Sequence, residues 1–117
     1  MSDMNALSYP EALLRVAYEA AARQFGCTAE ELLRHGDKHA PLPRARHLAW
    51  WILVQELGWG VTRTAALAGV HHGAVSHGLR QTKSALDTEN EMQDRATECL
   101  ALFRIGAKTI GEKVGTA

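Results

Sequence analysis

Residues 61–80, VTRTAALAGVHHGAVSHGLR, carry side chains whose types and spacing suit contact with a nucleic acid. The stretch predicts two short helices joined by a tight turn, the pattern of a DNA-binding helix-turn-helix. Ala65 is small enough to let the two helices approach closely. Gly69, four residues on, falls where the first helix must end, and glycine takes the left-handed conformation there without steric cost. Val70 and Val75 stand where they would close a small apolar core. The second helix would present His71, His72, Gly73, Ser76, His77 and Arg80 on or near its outer side. Small and polar side chains on a helix that enters a groove are what base-edge contact requires. An ordinary αα-hairpin, with Gly69 a simple helix stop, is the alternative. The usual pattern also places an apolar residue near position 78. Gly78 departs from it, and Leu79 is the expected substitute.

The charge distribution points the same way. Net charge is zero over 117 residues, which taken alone argues against a nucleic-acid partner. Residues 1–33 carry a balance of −3 and residues 84–117 a balance of −2, whereas residues 34–83 carry +5. That basic block comprises Arg34, Lys38, Arg44, Arg46, Arg63, Arg80 and Lys83, set against Asp37 and Glu56. It coincides with the predicted helix-turn-helix and the segment leading into it, a basic footprint on an otherwise acidic chain.

These residues need a frame, and the chain reads as an all-α, single-domain bundle of about six helices. Pro10 suits the first turn of a helix running to about Gln24, with Leu13, Ala17, Ala20, Ala21 and Phe25 on one face and Gly26 as its stop. Thr28 to Glu31 is a capping box opening a short helix over roughly 29–34. Gly36, Pro41 and Pro43 make 35–43 a loop. A third helix runs from near Pro43 to Leu57; its centre, AWWILV, is apolar nearly all round, as for a buried central helix. The two helices of 61–86 follow. A second capping box, Thr88 to Glu91, predicts a sixth helix with the stripe Met92, Ala96, Cys99, Leu100 and Phe103. Residues 1–106 are expected to form the domain and 107–117 a frayed, flexible tail.

Several function classes recede. The longest apolar run, Leu48 to Val54, is far short of a membrane span. The N-terminal MSDMNALSYP lacks the makings of a signal peptide. Cys27 and Cys99 have no metal-ligand spacing and read as reduced core residues of a cytoplasmic protein. His72 and His77 are five apart and do not share a helix face, so no metal is expected. No cofactor is expected either. No set of nucleophile, base and orienting group suggests an enzyme. Trp50, Trp51 and Trp59 read as core and rim residues rather than base-stacking platforms, and His77 as a helix-packing residue.

Taken together, PRARHLAWWILVQEL and the HHGAVSHG that follows resemble the C-terminal DNA-binding domain of the bacterial replication initiator DnaA. That family has a basic loop, an Arg-x-Arg-Gln stretch opening an apolar helix, and a helix-turn-helix ending in Asp-His-Thr-Thr-Val-x-His-Ala. Arg44-Ala45-Arg46-His47 is similar to the first motif, and His71 to Gly78 to the second. VAYEAAARQFGCTAEELL resembles the family's opening helices, so the likeness spans roughly residues 12–86. It implies a Trp-repressor-like helical fold and a double-stranded DNA partner. It also implies that His72 enters the major groove, Arg46 contacts phosphate and Lys38 serves as a minor-groove arm. The expected DNA-contacting set is Lys38, Arg44, Arg46, His47, Arg63, His71, His72, Gly73, Ala74, Ser76, Arg80 and Lys83.

The departures from the family bear on function. The turn here is the compact AGV, about two residues shorter. His71 replaces the acidic residue that opens the recognition helix, and Gly73 and Ala74 replace the two threonines. The basic loop keeps only Lys38. No GxxxxGK followed by Ser or Thr occurs, so an ATP-driven initiator is not expected. The reading is a nucleoid-associated DNA-binding module used alone, in transcription regulation or as an accessory factor. The competing reading is a protein–protein adaptor with eroded DNA contacts, and a homodimer or protein partner is compatible with either.

Overall fold

Six helices build the chain in a computed structural model that describes residues 7–116, with side chains through 112. They are α1 (Tyr9–Phe25), α2 (Ala29–Leu33), α3 (Leu42–Leu57), α4 (Val61–Ala68), α5 (His72–Thr88) and α6 (Asn90–Thr116). No strand occurs among the described residues. No helix among them is long and apolar enough to cross a membrane. Residues 1–6, part of the segment assessed for a signal peptide, lie outside the described residues.

Local chemistry sets most helix ends. Ser8 and Glu11 form a reciprocal capping box on α1, with Pro10 in its first turn. Thr28 and Glu31 do the same for α2, as the sequence predicts. Gly26, Gly58 and Gly69 end α1, α3 and α4 at φ of 68°, 71° and 73°. A side chain at these left-handed positions would be strained.

Helix α3 is the centre of the core. Leu42, Ala45, Leu48, Ala49, Ile52 and Leu53 are buried along it. Helix α1 lies against α3 on one side and α6 on the other. Ala17, Ala20, Ala21 and Ala22 of α1 are buried, and such short side chains let both neighbours come close. Helix α5 packs on α3 from another direction. Its buried residues, Val75, Gly78 and Thr82, form one stripe. A Cβ at Gly78 would sit 2.7 Å from His47 Cδ2 and 3.0 Å from Trp50 Cε3. Position 78 therefore needs no apolar side chain, because the α3 surface already fills that space. Leu79 stays only half-buried.

Two expectations about the last third of the chain are corrected. Thr88 does not cap α6: its Oγ1 donates to the Ser84 carbonyl at 2.9 Å, and it remains the last residue of α5. The link to α6 is Glu89 alone, whose N–H donates to the Ala85 carbonyl. Nor does the helix end at Gly106 in a frayed tail; α6 continues through it to Thr116. A mid-helix glycine costs about 1 kcal/mol relative to alanine. Here Gly106 faces α1 so closely that a Cβ would fall 2.6 Å from Val16 Cγ1. The close packing of the two helices offsets the propensity cost. Met92, Ala96, Cys99 and Phe103 form the buried stripe of α6, with Leu100 at its half-buried edge.

Candidate nucleic-acid interface

The turn between α4 and α5 spans Gly69, Val70 and His71. Gly69 N–H donates to the Ala66 carbonyl at 3.3 Å and Val70 N–H to the Ala65 carbonyl at 3.0 Å. This paired return satisfies carbonyls that the end of α4 would otherwise leave open. It also tucks Val70 against the core. His71 then N-caps α5, its Nδ1 accepting from Gly73 N–H at 3.0 Å. That bond assigns the ring proton to Nε2 and commits one face of the imidazole to the helix end. A Cβ at Gly73 would stand 3.1 Å from His71 Nδ1, so a larger residue there would crowd the cap. The His72 ring lies beside that of His71, with centroids 4.2 Å apart, and is exposed.

Beyond the cap, α5 turns one side to the core and the other outward. His72, Ala74, His77, Arg80 and Lys83 are exposed, while Gly73 and Ser76 are half-buried. Arg63 is exposed on α4, its guanidinium 4.9 Å from the ring centroid of the buried Trp59. Lys38 is exposed on the loop between α2 and α3. Among the described residues, no carboxylate pairs with Lys38, Arg63, Arg80 or Lys83.

Three of the expected contact residues sit in other settings. Arg46 is not a surface cation: it is only 4% exposed. Its Nε donates to the Leu32 carbonyl at 2.8 Å and Nη1 to that of Asp37 at 2.7 Å. Nη2 donates to the carbonyls of Glu31 and Arg34 at 3.1 and 2.6 Å. The guanidinium thus closes the C-terminal end of α2, where the last carbonyls lack partners and a cation is favoured. It also ties down the loop that carries Lys38. Its pKa is lowered by burial, which the charges of Tyr18, Asp37 and Cys27 oppose. Arg44 is exposed but already paired with Glu89 at 2.9 Å, next to Met92 and Phe25. His47 is half-buried between Trp50 and His77, with ring centroids at 5.6 and 5.7 Å. Burial, then the charges of His77 and Arg46, push its pKa down to about 4, so at neutral pH it is an uncharged packing residue.

A hydrogen-bond chain that sequence reading misses braces the same loop. Trp50 Nε1 donates to Tyr18 Oη at 3.0 Å, so the hydroxyl proton goes to His35 Nε2, 2.9 Å away. Burial raises Tyr18 to about 12 and lowers His35, with Arg46 adding to the latter. Both shifts keep the chain in its neutral form. No cluster of metal-ligating side chains occurs among the described residues.

The loop and the start of α5 face each other across a cleft of about 490 Å³. Lys38, Arg46, His47, His71 and Ala74, five of the expected contact residues, line it together with His77. Arg44 instead lines a smaller cleft of about 220 Å³ on the other side of His47 and His77. No protein-family model, curated protein or solved structure matches this chain.

Proposed function

We propose that this chain is a double-stranded DNA-binding module that lays the outer side of α5 in the major groove. The carrying observation is the coincidence on α4, α5 and the α2–α3 loop of four exposed cations without carboxylate partners: Lys38, Arg63, Arg80 and Lys83. Arg80 lies about 12 Å along α5 from His72, so phosphate contacts there would leave the first turns of the helix free for base edges. His72, Ala74 and His77 are the exposed side chains in those turns. The resemblance to the initiator's DNA-binding domain supports the same orientation. In this reading the module has no enzymatic activity, sits with the nucleoid and regulates transcription or assists another DNA transaction.

The test is fluorescence anisotropy of a labelled duplex over a salt series. With Arg46 buried and Arg44 paired, three or four phosphates are neutralised, so log K falls with log salt at a slope of about −3 to −4. A flat response overturns the proposal. The neutral net charge and the consumption of Arg44 by Glu89 favour a protein–protein adaptor as the second reading. Absence of any duplex signal at low salt would leave that reading standing.

A further inference from the structure

We propose that the cleft between the α2–α3 loop and the first turns of α5 is a binding site for a planar aromatic carboxylate. Its volume, about 490 Å³, is that of a small-molecule site. Pro43, Trp50, Val70 and Ala74 supply apolar walls wide enough for a ring system. No acidic side chain lines it, so nothing in the cleft attracts a cation or repels a carboxylate.

Beside the imidazoles of His35, His47 and His77, three groups that line the cleft bring donors. Lys38 brings an exposed ammonium with no carboxylate partner among the described residues. His71 has its Nδ1 engaged as an acceptor, which leaves Nε2–H to donate. Arg46 spends four of its five N–H groups on carbonyls, and the fifth has no protein acceptor. An apolar slot rimmed by unmatched donors selects a flat apolar body bearing acceptor oxygens and a negative charge. The assignment stands independently of DNA binding, because its test contains no nucleic acid.

The probe is 2-naphthoate, with naphthalene-2-carboxamide as its uncharged counterpart, titrated into the full chain and followed by amide and indole N–H chemical shifts. Saturable one-to-one binding is expected, with a Kd of about 0.1–1 mM for a ligand of this size. The largest shifts should fall on Val70, His71, Ala74 and the Trp50 indole. The carboxamide should bind at least about fivefold more weakly. Ala74→Phe, at an exposed position, should fill the slot and weaken naphthoate at least tenfold. Lys38→Glu, also exposed, should abolish the preference for the carboxylate and serves if Ala74→Phe does not fold. Lack of saturation, shifts centred elsewhere, equal binding of the carboxamide, or unchanged binding to a folded Ala74→Phe would each overturn the proposal.

Discussion

Replacing Arg46 by alanine separates a structural guanidinium from a DNA contact. The side chain holds four main-chain carbonyls, and only its bond to Leu32 is fully buried. Stranding one buried carbonyl costs about 1–3 kcal/mol, and the three others, being nearer water, about 0.5 kcal/mol each. The vacated volume adds to this, while removal of a desolvated charge subtracts from it. The net destabilisation is about 3 kcal/mol. For a domain of this length that lowers the thermal midpoint by about 10–15 °C. Arg46→Lys should recover less than half, because a point ammonium does not span carbonyls from Glu31 to Asp37. Circular dichroism melts and urea titrations of the three proteins make the measurement. The reasoning fails if Arg46→Ala melts within about 2 °C of the parent. If that variant also lost affinity for all duplexes equally, Arg46 would be the phosphate contact that the Arg-x-Arg resemblance implies.

Three further outcomes follow from the same geometry. Gly78→Ala should destabilise the fold by about 1–3 kcal/mol, despite alanine's better helix propensity. The new methyl would fall 2.7 Å from His47, itself packed against Trp50; a stability gain in urea unfolding would refute that contact. Stability should also fall as pH drops below 6.5. His47 and His35 both have lowered folded-state pKa values, so the unfolded chain binds protons first. The His47 contribution is present above pH 6.5 and is lost as pH falls toward about 4. Between pH 7 and 5 it amounts to about 1 kcal/mol after allowance for its partial exposure, and His47→Gln should remove it. An unchanged pH profile in that variant would be inconsistent with the burial of the ring. Finally, the initiator's own recognition site should not be read: His71 spends Nδ1 on the α5 cap, and Gly73 and Ala74 lack hydroxyls. In competition against a scrambled duplex of equal length, a preference beyond about a hundredfold would contradict this, since that is the range of specific binding.

Helix identities and most of their ends were legible because they depend on neighbours in sequence. A Thr three residues before a Glu, a proline in a first turn and a glycine at a left-handed stop act through the local backbone alone. Hence α1, α2, α3 and the α4–α5 turn fall within a residue or two of their expected bounds. Local rules failed where a distant partner outweighed them. Thr88 to Glu91 has the letters of a capping box, yet the Thr88 hydroxyl finds the Ser84 carbonyl instead. Gly106 reads as a stop, yet α1 lies against it and rewards the missing side chain.

The candidate site divides along the same line. The all-helical architecture, the short reversal at Gly69 and the clustering of basic residues between Arg34 and Lys83 are properties of composition and near-neighbour spacing. Which of those cations meet solvent depends on how the helices pack. Arg44 and Arg46 sit two residues apart on one helix, about 200° around its axis. One therefore emerges beside Glu89, and the other turns inward to the open carbonyls at the end of α2. His71 and His47 likewise take their roles from what lies opposite them, a helix end and a tryptophan face. Burial and pairing belong to the arrangement of helices in space, and a list of charges along the chain does not contain them.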